Sequence, residues 1–132
     1  MKNKIAKVLT KGLIFTFACS SILTIILLHI FYNQEASGHE GGLIIVLDLY
    51  GIVASLILTI CSATVYLNIK DNIRNNPLNL LLSFFVAPLL FILVFAVNYT
   101  KDDIWQVYFI IAASFFLTHT IHYFKFIKMN FQ

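Results

Sequence analysis

Four long apolar stretches, separated by short polar segments, dominate the chain. The first, from Gly12 to Tyr32, contains no charged side chain and lies between Lys11 and the polar run 33–35. An α-helix rises about 1.5 Å per residue, so a stretch of this length crosses a hydrocarbon core of about 30 Å. Three comparable stretches follow. The pattern predicts helices over about 8–32, 43–68, 78–98 and 104–126.

The connections between these helices are short. Short connections make consecutive helices antiparallel neighbours, so we expect an all-α integral membrane protein, an up-down four-helix bundle with one domain over 1–132. Composition agrees, because 60% of the residues are hydrophobic, 11% are charged and the mean hydropathy is +0.88. A soluble domain of this size has too little interior for so much apolar surface, so the expected solvent is the lipid bilayer.

The distribution of charge predicts the orientation. The net charge of +3 is too small to indicate a nucleic-acid partner. One end of the expected bundle carries eight basic residues and a single acid, Asp71. Lys and Arg are retained in the cytoplasm, so we expect both termini there, in a bacterial inner membrane. The basic start followed by an apolar run resembles a signal peptide, but the run is too long for one, which favours an uncleaved first helix. The eight basic residues are Lys2, Lys4, Lys7, Lys11, Lys70, Arg74, Lys125 and Lys128.

Small residues four apart predict where helices meet. Such stripes form grooves that let backbones approach, and their hydroxyls bond across the groove or back to their own helix. We therefore expect the first two helices to pack along these stripes; the alternative is a polar lining for a conduction path. The stripes are Gly12, Thr16, Ser20 and Thr24, and Gly51, Ser55, Thr59 and Ser62 or Ala63. Pro88, in the middle of the third helix, predicts a kink that serves either shape or a hinge.

Asp48 is the acid nearest the membrane. Counting back from Leu67 places it near the outer headgroups, within the first turns of the second helix. There it is either a solvated or capping carboxylate, which the helix dipole favours, or a group that binds an ion, a proton or a partner.

Two further sets of residues are candidates for metal, cofactor or partner contacts. Glu35, Glu40, Asp102 and Asp103 lie in the outer loops and form either a plain acidic surface or, with His29, His39 and Asp48, a metal site. His119 and His122 are three apart on the fourth helix and therefore share a face. They are either interfacial groups beside Lys125 and Lys128 or ligands of a metal or haem. The loops lack tight ligand spacing, so we expect no cofactor.

The connection between the second and third helices carries a family resemblance. The run from Asn68 to Pro77, NIKDNIRNNP, and the run from Leu81 to Pro88, LLSFFVAP, resemble small four-helix membrane proteins of low-GC bacteria, Bacteroidota especially. Some of those proteins are immunity partners of secreted toxins. The resemblance covers roughly 68–88 and implies no catalytic residue.

These observations lead to an expected function. We find no nucleophile–base pair, phosphate loop or ionisable group near the middle of any helix, so we expect neither an enzyme nor a proton-coupled transporter. The expected role is contact with a membrane or secreted protein, as an immunity or accessory subunit. The alternative is a small transporter or channel subunit that works as a homo-oligomer.

Overall fold

The computed structural model describes residues 2–32, 41–99 and 105–130, of which 97% are helical and none is in a strand. The helices are α1 (Lys2–Tyr32), α2 (Gly41–Cys61), a 3₁₀ helix (Ser62–Ile69), α3 (Asp71–Arg74), α4 (Pro77–Tyr99) and α5 (Trp105–Asn130). Four segments are long and apolar enough to cross a membrane, namely Lys2–Tyr32, Gly42–Ile69, Pro77–Val97 and Trp105–Met129. The prediction of four long apolar helices is confirmed.

The second stretch differs from the continuous helix predicted over 43–68. It becomes a 3₁₀ helix at Ser62, and every third residue of that helix, Ser62, Val65 and Asn68, is fully buried. A 3₁₀ helix has three residues per turn, so this spacing keeps all three side chains on one face. An α-helix would rotate the same positions progressively away from the core.

The polar connection after the 3₁₀ helix is more ordered than a plain turn. It contains α3, in which Arg74 pairs with Asp71. The side-chain oxygen of Asn76 then accepts the N–H of Leu78 at 3.0 Å, and Pro77 opens α4. Asn is a preferred residue before a helix and Pro is preferred at its first position, which explains why α4 begins at Pro77, one residue before the predicted 78.

Helix α1 lies at the centre of the packing, against α5, α2 and the 3₁₀ helix, while α4 packs mainly on the 3₁₀ helix. The buried apolar side chains form two clusters. The basal core, at the end where α1 begins and α5 ends, contains Leu9, Leu13, Val65, Leu80, Phe84 and Phe126. The distal core contains Leu28, Leu58, Val107, Ile110, Ile111 and Phe115.

Candidate functional site

Buried polar side chains separate the two cores. On α1 the buried residues Thr16, Ser20 and Thr24 fall between Leu13 of the basal core and Leu28 of the distal core. We call this set the polar layer. Its other members are Ser21 of α1, Ser62 of the 3₁₀ helix, and Thr118, His119 and His122 of α5. Ser55, Asn68, Ser83 and Ser114 are also buried, but they do not lie between a basal-core and a distal-core residue of their own helix.

Several hydroxyls of the polar layer bond back to their own helices. Thr16 donates to the Gly12 carbonyl at 2.9 Å, Ser62 to the Leu58 carbonyl at 2.9 Å, and Thr118 to the Ser114 carbonyl at 3.0 Å. This back-bonding satisfies a buried hydroxyl without a partner on another helix. These hydroxyls therefore need no partner on another helix, and for Thr16 this is one of the two arrangements expected for the stripe on α1.

His119 supplies a donor that α4 lacks. Pro88 has no N–H, so the carbonyl four residues before it, that of Phe84, has no intrahelical donor. The His119 Nε2–H donates to this carbonyl at 3.0 Å, and the His119 side chain is fully buried. In a membrane helix, a neighbouring helix can satisfy a carbonyl that proline has freed. Because a carbonyl only accepts, this bond requires a proton on Nε2 of His119.

His122 packs its ring against bare backbone. A Cβ built on Gly12 of α1 would collide with the His122 ring, so glycine is the residue that fits there. The ring also lies edge-on to Phe84, with centroids 5.4 Å apart, and is 3% exposed. Neither of its nitrogens has a hydrogen-bond partner among the described residues. Both histidines are therefore buried between helices, and the prediction that they lie at the depth of the membrane interface stays a prediction.

A polar bridge joins the 3₁₀ helix to α4. Thr64 donates to the Ser83 carbonyl at 2.7 Å, and the Asn68 amide donates to the Ser83 hydroxyl at 2.6 Å. Sequence reasoning did not find this bridge. The available signal was Asn68, a polar amide near the end of an apolar helix, which requires a partner when it is buried.

Asp48 lies at the other end of the molecule, paired with α1. Its Oδ2 accepts a hydrogen bond from His29 Nε2 at 2.9 Å. The Asp48 side chain is 22% exposed and His29 is 45% exposed, so the pair lies at the edge of the α1–α2 interface. The structure therefore gives Asp48 a definite partner on a neighbouring helix, which neither a solvated carboxylate nor a helix cap provides.

The acidic residues predicted in the outer loops cannot be placed in the site. Glu35, Glu40, Asp102 and Asp103 lie outside the described residues, as does His39. Within 2–32, 41–99 and 105–130, no group of three or more His, Cys, Asp or Glu side chains is placed to hold a metal ion. His29 at the distal end is not brought together with His119 or His122. Cys19 and Cys61 are free, half-buried thiols.

An apolar groove of about 360 Å³ runs between α2, α4 and α5. The helices α2, α4 and α5 make few contacts with one another, whereas α2 and α5 both pack closely on α1. The groove lies in the resulting gap. Its walls include the aromatic side chains Tyr50, Phe91, Phe95, Trp105, Tyr108 and Phe109. Such a groove accepts apolar side chains or acyl chains.

Comparison of the chain with protein-family models, with curated proteins and with solved structures found no match.

Proposed function

We propose that the chain is a multi-pass protein of the bacterial inner membrane, an up-down bundle of four spanning helices with both termini in the cytoplasm. The support is the four apolar helical segments together with the charge of the basal end. That end carries eight basic residues and a single acid, Asp71. Basic residues of this kind remain on the cytoplasmic side of a bilayer.

The protein acts by contact with another membrane or secreted protein, as an immunity or accessory subunit, and has no catalytic role. The observation that carries this proposal is the aromatic groove between α2, α4 and α5. Side-chain packing, more than burial from water, drives helix association in lipid, and a preformed groove supplies surface for packing. The occupant that fits is an apolar transmembrane helix of the partner.

The exposure of the four membrane-spanning segments also supports a partner-binding surface on the side of the groove. In the second and third spans, 17% and 22% of the residues of the apolar segment are buried. In the first and fourth spans the buried shares are 33% and 44%. Helices α2 and α4 therefore leave the most surface for a partner. Phe91 and Phe95 of α4 lie 4.8 Å apart at the ring centroids, and Phe95 lies 6.0 Å from Tyr108 of α5. Rigid aromatic side chains of this kind are frequent anchors of protein interfaces.

Site-specific photo-crosslinking in cells tests this proposal. A photoreactive amino acid at Ile92, which lines the groove, should give a discrete protein adduct. The same amino acid at Ile22, which is 59% exposed on α1, should give none. An adduct of two copies of this chain would identify the occupant as a second copy. Labelling of lipid alone at Ile92 would reject the contact function.

A matched pair of variants on α5 checks that the groove itself is responsible. Ala112 lines the groove, whereas its neighbour Ala113 is exposed and does not line it. Ala112→Trp should abolish the adduct by filling the groove, and Ala113→Trp should leave it unchanged. Equal yields from the two variants would show that contact occurs elsewhere.

A small transporter or channel subunit is the second candidate, and the polar layer favours it. Buried hydroxyls and two histidines lie between the cores, and the His29–Asp48 pair lies at the distal end. Ionisable groups at membrane depth often serve ion or proton movement. The back-bonding of Thr16, Ser62 and Thr118 weighs against a conduction lining, because those hydroxyls are already engaged.

A further inference from the structure

The two helices that meet at the basal end carry six lysines and no acid. Lys2, Lys4, Lys7 and Lys11 belong to α1, and Lys125 and Lys128 belong to α5. The two acids that the structure describes have other partners, since Asp71 pairs with Arg74 and Asp48 with His29. None of these lysines therefore has a carboxylate partner among the described residues. Such a concentration of one charge attracts an anion from outside the chain.

One lysine lies over an aromatic ring at the seam between α1 and α5, and a second is one helical turn from that ring. The ammonium of Lys125 lies over the Phe15 ring, 4.6 Å from its centroid. Lys11 is four residues before Phe15, so both side chains lie on the same face of α1. The close approach of Gly12 to His122 brings the two helices together at this level. Lys11 and Lys125 are both exposed and available for contact.

We propose that this seam binds an anionic phospholipid of the cytoplasmic leaflet, with Lys11 and Lys125 on its phosphodiester headgroup and Phe15 beside its acyl chains. The inference rests on the membrane placement proposed above and adds a ligand to it. Basic residues between membrane helices on the cytoplasmic side recognise such headgroups. An apolar surface adjoins the lysines of the seam. Phe15 is 40% exposed, and Phe124, next to Lys125, is 63% exposed. A free phosphate ion has no acyl chain, so it would contact the lysines but not the apolar surface.

Lipid retention by the purified full-length chain tests the proposal. The protein in a neutral detergent is titrated with phosphatidylglycerol or with phosphatidylcholine of the same acyl chains, and bound lipid is counted by native mass spectrometry. We expect phosphatidylglycerol to be preferred. Lys11→Gln with Lys125→Gln should weaken that preference, by about fivefold for each lysine removed. Inorganic phosphate at millimolar concentration should not displace the lipid.

Lys70→Gln with Arg74→Gln is the matched control, because it removes the same charge from the same end but away from the seam. It should retain the preference of the wild type. Equal losses in both double variants, equal binding of the two lipids, or displacement by inorganic phosphate would each overturn the seam as a lipid site. The measurement is made outside the membrane, so an error in the proposed orientation would appear separately, in topology assays on cells.

Discussion

Pro88 of α4 and His119 of α5 are complementary: the N–H that the proline lacks is replaced by the ring N–H of the histidine. The atom they share is the Phe84 carbonyl oxygen, which accepts from His119 Nε2 at 3.0 Å. Phe84 and His119 are both fully buried, so water does not reach this bond. A buried carbonyl left without a hydrogen-bond donor costs about 1–3 kcal/mol. Pro88 of α4 therefore explains why His119 is buried on α5.

The first prediction is that substitutions at these two positions are coupled. His119→Phe should lower the free energy of unfolding by about 1–3 kcal/mol, because the Phe84 carbonyl loses its donor. In a Pro88→Ala background the cost should be smaller, since the new alanine N–H donates to the same carbonyl. The coupling should be about 0.6–1.7 kcal/mol in a double-mutant cycle, measured by unfolding in mixed detergent.

His122→Phe provides the control for this cycle. His122 makes no hydrogen bond to α4, so its substitution should be additive with Pro88→Ala. Additivity for His119→Phe as well would show that the proline and the histidine are unrelated.

A second prediction concerns the contact between Gly12 and His122. Gly12→Ala should destabilise the protein by about 1–3 kcal/mol, because the added methyl group overlaps the His122 ring. His122→Ala in the same chain should recover part of that loss by making room. Gly42→Ala is the control: nothing lies within 4 Å of its added Cβ, and alanine favours a helix over glycine. Thermal unfolding in detergent measures all of these variants; a Gly12→Ala chain as stable as the wild type would contradict the close approach.

The third prediction tests orientation. Alkaline phosphatase, which is active outside the cytoplasm, should be active when fused after His39 or Thr100 and inactive when fused after Asn72 or Gln132. The reason is the excess of Lys and Arg at the basal end. An active fusion at Asn72 would reverse the proposed topology, and activity at all four sites would reject a multi-pass arrangement.

The fourth prediction separates contact from transport at Asp48. Asp48→Asn keeps the size of the side chain and an oxygen that can accept from His29, but it removes the charge. A protein that acts through a surface should retain most of its association, because the binding energy is shared among several anchors. A transporter that depends on this carboxylate should lose activity, since ion coupling requires the charge.

The comparison variant neutralises Glu35, Glu40, Asp102 and Asp103 together. For a contact protein this variant should weaken partner binding more than Asp48→Asn does, in the same crosslinking assay and at equal expression. Complete loss of function with Asp48→Asn, while the quadruple variant remains active, would favour transport over partner contact as the function.

The sequence is sufficient to predict the four long helices. Their signal is local: each apolar stretch is long enough to cross a bilayer, and polar residues interrupt the pattern between them. The start of α4 at Pro77 is likewise predictable, because a proline at a first helical position and the asparagine before it act within a few residues.

The partners of the buried polar groups depend on tertiary structure. His119 and Phe84 are far apart in the chain, and only the packing of α5 on α4 shows that the histidine serves the carbonyl freed by Pro88. The His122 ring occupies the space above Gly12 for the same reason, so this end of the α1 stripe faces α5, while Thr24 at its other end faces Gly51 of α2 as spacing predicted. The 3₁₀ helix is also a tertiary result, since burial of Ser62, Val65 and Asn68 on one face requires three residues per turn. Periodicity records which face of a helix is apolar, but the pairing of faces depends on shape and hydrogen bonding between distant segments.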